Sequence, residues 1–252
     1  MKIEILYPEI ANLYGDLANI EYMRSSIPSC AIIETDLKSR PAFLDEDDID
    51  LVYMGTMSEN SQIVAMNHLE PYKDKVKAAI ESGVRFLFTG NAVEILAKEI
   101  IDLDDSPYEV LPERYDSETK TTRCLGILDI TFKREMMHRL NSLYLGTYGD
   151  LEVVGFKSLF AYPDDDHEYP WLFDTTKGPS FHGTPKGEGI HYNNFMATSL
   201  TGPLMQLNPL FMMKLLGEMG ETSIKPPAID AAMEAYKQRL QEFKREDLNY
   251  IL

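Results

Sequence analysis

The stretch that decides the fold is VRFLFTGNAVEIL, residues 84–96. It opens with a short apolar run that is typical of a buried strand, and it continues with apolar residues at helical spacing. Gly90 stands between the two halves, and glycine adopts backbone conformations that other residues avoid. The stretch therefore predicts a buried strand that turns sharply into a helix at Gly90.

Strand and helix patterns alternate on the N-terminal side of this stretch, which predicts an α/β fold with a doubly wound, mostly parallel sheet and helices on both faces. Ligands bind at the carboxyl ends of the strands in such sheets, so we expect Gly55 and Gly90 to share one crevice. The predicted strands are 3–7, 30–35 and 50–55, and the predicted helices are 16–27, 58–69 and a helix from Tyr72 that Gly83 ends.

The second half of the chain predicts short extra antiparallel strands and a C-terminal helix. Residues 161–189 are rich in Pro, Asp, Gly and His, and we expect an irregular excursion there. We expect residues 1–225 to form one domain and residues 226–252 to form a helix that packs on it. The predicted strands are 124–132, 142–148, 152–157 and 190–199, and the predicted helices are 208–220 and 228–248.

The composition argues against some classes of function. The chain has 24 Lys and Arg against 41 Asp and Glu, a formal charge of −17, which argues against binding to nucleic acid. No apolar run has the length of a membrane span, and we expect a cytoplasmic protein. Cys30 and Cys124 are expected to be small buried hydrophobic residues.

We expect no metal and no cofactor. His167, His182 and His191 lie near Asp164, Asp165 and Asp166, but no pair has the helical spacing of a zinc site. His138 is expected at the surface or in a turn.

Four segments carry a resemblance to a known family. They are LYPEIANLYGDLANI at 6–20, GTMSENSQ at 55–62, the stretch around Gly90, and MATSLTGPL at 196–204. Together they resemble the class I glutamine amidotransferases of the cobyric acid synthase branch, most of all the glutaminase subunits of lipid II isoglutaminyl synthases. The resemblance covers most of the chain except the final helix, and it implies a flavodoxin-like fold.

The resemblance also implies that the chemistry is absent. The family's catalytic Cys falls on Gly90, its catalytic His on Thr201, and a Gln on Glu94. Attack on a glutamine amide needs a thiolate, a base and donors for the oxyanion, so we expect no Cys–His glutaminase activity. The family's triple-glycine loop is replaced after Gly55, although the N–H groups of Thr56 and Met57 could still face a ligand.

The crevice could still bind a ligand. Glu94 could contact a cationic or amide group or cap the local helix, and free N–H groups at Gly90 and Asn91 could hold an anion. Asp16 and Asn19 are expected to orient their loop rather than to act in function. The candidate ligand-binding residues are Asp16, Asn19, Gly55, Thr56, Gln62, Gly90, Asn91, Glu94 and Thr201.

Three functions stay open at this point. The first is a catalytically degenerate subunit that acts as an interaction or regulatory partner of a Mur-ligase-like synthetase in cell-wall or cofactor amidation. The second is an active amidotransferase with a nucleophile elsewhere, although neither Cys30 nor Cys124 follows the required turn. The third is a sensor of glutamine or a related small molecule, which would bind in the crevice where the family binds glutamine.

Overall fold

The structure is a computed structural model that describes residues 1–105, 114–164, 168–181 and 187–252. Asp165, Asp166, His167 and His182, which the sequence raised as metal ligands, lie outside the described residues. No helix in the described ranges is both long and apolar enough to cross a membrane.

Fifteen strands and six α-helices make up the described part of the chain. The strands are β1 Lys2–Leu6, β2 Ala31–Thr35, β3 Leu51–Met54, β4 Phe86–Thr89, β5 Glu99–Asp102, β6 Tyr115–Asp116, β7 Thr121–Arg123, β8 Thr131–Arg134, β9 Leu140–Tyr148, β10 Leu151–Leu159, β11 Ala161–Pro163, β12 Phe173–Lys177, β13 Gly187–Glu188, β14 Ile190–Tyr192 and β15 Phe195–Thr198. The helices are α1 Ala18–Ser26, α2 Glu59–Leu69, α3 Lys73–Ser82, α4 Leu204–Leu207, α5 Pro209–Glu218 and α6 Ile229–Phe243, with short 3-10 helices at Leu13–Gly15, Ala42–Leu44, Glu70–Tyr72 and Gly90–Leu96.

The main sheet has six strands in the order β14-β15-β4-β3-β1-β2. All neighbouring pairs are parallel except β14 with β15. The prediction of a mostly parallel sheet is confirmed. The register pairs Met54 of β3 with Phe88 of β4, and Thr198 of β15 with Thr89, so the carboxyl ends of these three strands meet at one edge.

Helices cover both faces of this sheet, as the alternation of strands and helices predicts. Phe86 and Phe88 of β4 point to a core that includes α2 and α3, whereas Leu87 between them points to a second core with α1 and α5. Successive side chains of a strand point to opposite faces, so a strand covered on both faces is apolar at every position. This explains the unbroken apolar run in β4.

Two smaller sheets extend the second half of the chain. One has the order β10-β9-β12-β13 and is antiparallel, and the other has the order β11-β8-β5-β7-β6. The extra antiparallel strands are therefore present. The excursion expected at 161–189 is wrong in part, because β11, β12 and β13 lie within it and pair with strands distant in sequence.

Several predicted boundaries differ from the structure. The expected strand 190–199 is the β14–β15 hairpin, which turns at Asn193, a residue in the left-handed region at φ 52°. The expected strand 124–132 shortens to β8, because the backbone of residues 124–128 bonds instead to the segment that follows Gly90.

The final helix ends at Phe243 instead of residue 248. The chain beyond it runs along β9, where Leu143 N–H donates to Tyr250 O at 2.8 Å and Leu252 N–H to Asn141 O at 2.9 Å. Helix α6 contacts α5 and β10, and the Tyr236 hydroxyl donates to Glu152 O at 2.7 Å.

Candidate functional site

The three segments that the sequence singled out meet at the carboxyl ends of β3, β4 and β15. Gly90 N–H donates to Leu200 O at 3.1 Å, and the next residue, Thr201, donates its N–H to Phe156 O of β10 at 2.9 Å. Gly90 and Thr201, the two positions that the sequence matched to a nucleophile and a base, therefore lie close together, because Gly90 bonds to the neighbour of Thr201. The turn continues into a 3-10 helix.

Gly90 has left-handed backbone geometry, with φ of 60°. An added Cβ at this position would lie 2.8 Å from Cβ and 2.9 Å from Cγ2 of Thr56, and closer still to its Oγ1. Real Cβ atoms do not approach other atoms so closely. The space that a side chain at position 90 would need is therefore filled by Thr56.

Thr56 is held in place by the buried carboxylate of Asp16. Asp16 Oδ2 accepts the Thr56 N–H at 2.7 Å, the Thr56 hydroxyl at 2.5 Å and the Thr89 hydroxyl at 2.8 Å. Burial raises the pKa of Asp16, and these hydrogen bonds oppose that rise. Asn19 Nδ2 also donates to Asp16 Oδ1 at 3.5 Å. A buried charge is tolerated only with such partners, so Asp16 and its donors form one structural unit.

Asn19 lies behind this unit rather than in the crevice. Its amide Nδ2 donates to the Tyr53 hydroxyl at 3.1 Å, and its Oδ1 accepts the Met205 N–H at 2.9 Å. The Tyr53 hydroxyl in turn donates to Asp16 O at 2.9 Å. Asn19 therefore links α1 to α4, and its role is structural.

The backbone N–H groups after Gly55 do not face a ligand, contrary to expectation. The Thr56 N–H is taken by Asp16, and the Met57 N–H donates to Asn91 Oδ1 at 3.0 Å. Asn91 Nδ2 donates back to Met57 O at 2.8 Å, which closes a pair of bonds between the two loops. The Gly90 N–H is already bound to Leu200 O, so the N–H groups of Gly90, Thr56 and Met57 form neither an oxyanion hole nor the Gly90 half of the expected anion site. The Asn91 half of that site stays a prediction.

Thr201 provides no base. It is buried, and its hydroxyl donates to Phe156 O at 3.2 Å beside the backbone bond already described. A hydroxyl does not titrate near neutral pH, and this one is directed at the backbone of β10. The two positions that the sequence comparison matched to a Cys–His pair thus carry glycine and threonine.

Glu94 is buried below the turn and pairs with Gln62 of α2. Gln62 Nε2 donates to Glu94 Oε2 at 2.9 Å and to Asn91 O at 2.8 Å. Burial raises the pKa of Glu94 to about 7, and the Gln62 bond opposes part of that rise. Gln62 Oε1 is buried and has no hydrogen-bond partner within the described ranges. Glu94 therefore bonds to another element instead of capping the local helix.

A cavity of about 180 Å³ lies above this turn. One wall comes from the loops after β3 and β4, and the opposite wall comes from β8, β10 and the segments that follow them. Arg139 stacks over the Phe160 ring at 4.4 Å. The lining residues are Leu13, Tyr14, Thr56, Met57, Ser58, Glu59, Asn91, Glu94, Arg134, Arg139, Ser158, Leu159, Phe160 and Ala161.

A second, much smaller cavity of about 10 Å³ lies beside Gly90 and borders an ion pair that the sequence did not reveal. Lys157 Nζ bonds to Glu188 Oε2, and both side chains are fully buried. Glu188 Oε1 also accepts the Thr198 hydroxyl at 2.8 Å and the Ser199 N–H at 2.7 Å. Burial lowers the pKa of Lys157, and the charge of Glu188 opposes that shift.

Neither cysteine is placed to act as a nucleophile at this site. Cys124 is buried, and burial raises its thiol pKa well above the ordinary value, which keeps it protonated. Cys30 is only half-buried, contrary to expectation, because it precedes the edge strand β2. Neither lines the cavity above Gly90.

No three His, Cys, Asp or Glu side chains within the described ranges come together as a metal site would require. His191 lies on β14, and Asp164 pairs instead with Lys133 at 2.7 Å.

Comparison with known proteins agrees with this architecture. No family model matches the chain. The chain is 28% identical over 202 residues to the GatD subunit of lipid II isoglutaminyl synthase (glutamine-hydrolyzing) from Staphylococcus aureus, covering 78% of this chain and 75% of GatD.

Two solved structures share the fold. A glutamine amidotransferase from Thermotoga maritima superposes with a TM-score of 0.50 at 12% identity, covering 94% of this chain and 92% of that one. Another glutamine amidotransferase gives a TM-score of 0.52 at 15% identity, covering 87% and 99%. The fold of this chain is that of the glutamine amidotransferases, and its sequence is similar to that of GatD.

Proposed function

We propose that this chain is a catalytically degenerate glutamine amidotransferase-like subunit. The observation that carries the proposal is Gly90, which stands at the nucleophile position with the adjoining space filled by Thr56. The base position holds Thr201, whose hydroxyl is bound to the backbone of β10. Removal of a nucleophile or its base costs about 10⁶ in turnover in a well-studied hydrolase, which is too much for a useful supply of ammonia.

The subunit would act as an interaction or regulatory partner of a Mur-ligase-like synthetase in cell-wall or cofactor amidation. The similarity to GatD, itself named as a subunit of a synthase, supports this role. The formal charge of −17 would favour a partner surface with basic residues, since charge complementarity steers association.

Two measurements on the purified protein test this proposal. The first is glutamine hydrolysis, followed as glutamate release, with an active glutamine amidotransferase as the positive control. We expect no turnover above background, alone or with a candidate synthetase. Turnover on the order of 1 s⁻¹, a typical enzyme rate, would overturn the proposal and favour an active enzyme with a non-standard site.

The second measurement is co-purification with a Mur-ligase-like synthetase of the same organism. A stable complex at micromolar concentration supports a partner role. A strictly monomeric protein that leaves the synthetase unbound would contradict it.

A sensor of glutamine or a related small molecule is the second candidate, and the cavity above Gly90 favours it. Arg139 and Glu94 place a cationic group and a carboxyl group on its lining, beside those of Arg134 and Glu59 and together with the polar side chain of Asn91. Thermal shift with glutamine, glutamate and nucleotides tests this function. A ligand at 100 times its dissociation constant adds about 2.7 kcal/mol to the free energy of unfolding. An Arg139→Ala variant should lose the shift if the ligand carries a carboxylate.

A further inference from the structure

We infer that Thr56 is a positioning residue that excludes a nucleophile from position 90, so that a side chain there can be accommodated only when residue 56 becomes glycine. The inference deepens the proposed absence of glutaminase chemistry, and it rests on that proposal only for its functional meaning. It predicts that the substitutions at 56 and 90 depend on each other, although the two residues lie 34 positions apart in the chain.

The Thr56 side chain cannot easily turn away from position 90. Threonine is β-branched, so its χ1 angle has few favourable values. Its hydroxyl and its N–H both donate to Asp16 Oδ2, and the carboxylate is itself fully buried. A rotation that moved Oγ1 away from Gly90 would break the hydroxyl bond and leave Asp16 less satisfied, at a cost in free energy.

The loop that carries Thr56 cannot retreat as a whole either. Leu13 N–H donates to Thr56 O at 2.9 Å, and the paired bonds between Met57 and Asn91 hold the next residue. On the other side, Gly55 is so close to the first loop that an added Cβ would lie 3.0 Å from Asp16 Cβ. The loop is therefore fixed on three sides, and room for a side chain at position 90 must come from the side chain at 56.

The geometry ranks the possible residues at position 56. Serine keeps the hydroxyl that lies closest to a Cβ at position 90. Alanine removes it but leaves its own Cβ at 2.8 Å, which is still too close. Only glycine leaves the space open. The left-handed backbone at position 90 strains any side chain there, so we expect Thr and Ser at 56 to add a clash that excludes a cysteine, Ala to lessen that clash, and Gly to remove it.

The experiment introduces Gly90→Cys into the wild type and into Thr56→Ser, Thr56→Ala and Thr56→Gly backgrounds. Alkylation of the introduced thiol by iodoacetamide is followed by peptide mass spectrometry, with Cys30 in the same molecule as the internal reference, and thermal unfolding is recorded in parallel. We expect the thiol at position 90 to be alkylated about tenfold faster with glycine at 56 than with threonine or serine, because a thiol reacts only where it is accessible. Gly90→Cys should also lower the melting temperature less in the Thr56→Gly background than in the wild type.

Equal alkylation rates in all four backgrounds, with additive changes in melting temperature, would overturn the inference. If Gly90→Cys alone does not fold, the same comparison of melting temperatures is made with Gly90→Ala, with and without Thr56→Gly. If a double variant fails to fold while each of its two single changes folds, the inference is wrong. Glutaminase activity of the unmodified protein would contradict the proposed function but not the coupling between positions 56 and 90. If the protein is inactive and the changes in melting temperature at 56 and 90 simply add, only the coupling is contradicted.

Discussion

The buried pair of Lys157 and Glu188 predicts a large effect of a single substitution on stability. Both side chains are at most 1% exposed. They lie on β10 and β13, the two outer strands of the same smaller sheet, beside the candidate site. We expect Lys157→Met to destabilise the protein strongly, because it leaves the Glu188 carboxylate buried without its cation. Methionine approximates the volume of lysine without its charge, so the variant isolates the loss of the cation.

The magnitude follows from the environment of Glu188. Removal of one partner of a buried ion pair costs about 3–5 kcal/mol. Glu188 keeps its bonds from Thr198 and Ser199, so we expect the lower part of this range. For a chain of this size, 1 kcal/mol corresponds to about 2–4 °C in melting temperature. Lys157→Met should therefore lower the melting temperature by roughly 6–12 °C, taking about 3 kcal/mol.

Urea denaturation and thermal unfolding measure the effect, with Lys214→Met as the matched control. Lys214 pairs with Asp150 at 3.4 Å, but Asp150 is 87% exposed, and such surface pairs contribute at most about 1 kcal/mol. The double variant Lys157→Met/Glu188→Leu should recover much of the loss, since a buried pair can often be replaced by apolar residues. If Lys157→Met costs no more than Lys214→Met, the pair is not a buried ion pair in solution.

Two further predictions concern Glu94 and Tyr236. The pKa of Glu94 is raised from 4.5 to about 7, so the folded state retains a proton that the unfolded state loses, and stability falls as pH rises through this window. Glu94→Gln should therefore match the wild type in free energy of unfolding near pH 4.5 and exceed it at pH 8 by about 3 kcal/mol. Urea denaturation at several pH values measures this difference. A difference that stays constant across pH would contradict the raised pKa of Glu94. Tyr236→Phe removes the bond to Glu152 O and should cost about 1 kcal/mol, whereas Tyr14→Phe, whose hydroxyl bonds Ser158 at an exposed site, should cost less in the same denaturation series.

The main sheet could be predicted from the sequence because its signals are local. The apolar run 86–88 lies between Gly83 and Gly90, and both glycines have the left-handed backbone that ends the preceding helix or turns the strand. Alternating strands and helices then leave few topologies to consider. The same reasoning located Gly55 and Gly90 at the edge where the strands end.

The smaller sheets could not be predicted in the same way. Strand β12 pairs with β9 across nearly 30 residues, and the segment around it is rich in residues that favour turns. The hairpin at 190–198 was missed because both of its strands are short and apolar, so that a single strand fits the pattern equally well. One signal for the ion pair was available: Lys157 follows Val153 and Gly155 on the inward face of a predicted strand, where a charge demands a partner.

The candidate site shows a further limit of sequence motifs. The motif positions Gly90 and Thr201 suggested an empty site with its backbone N–H groups still in place. The structure instead places the Thr56 and Met57 N–H groups on Asp16 and Asn91. Which acceptor a buried N–H finds depends on side chains that are distant in the sequence, and a motif comparison does not contain that information.

The replacements at this site are best understood as one rearrangement and not as separate losses. Glycine at position 90 leaves room for Thr56, and the Thr56 hydroxyl then gives the buried Asp16 a partner that a glycine loop could not provide. Each change makes the other favourable: threonine without Gly90 would clash, and glycine at 56 would leave Asp16 with one donor fewer. A site that had merely lost its nucleophile would keep its space and its free N–H groups, whereas here both are occupied. If the proposed function is right, glutaminase chemistry at this site would need changes at positions 56, 90 and 201 together, and a thiol at position 90 alone would not restore it.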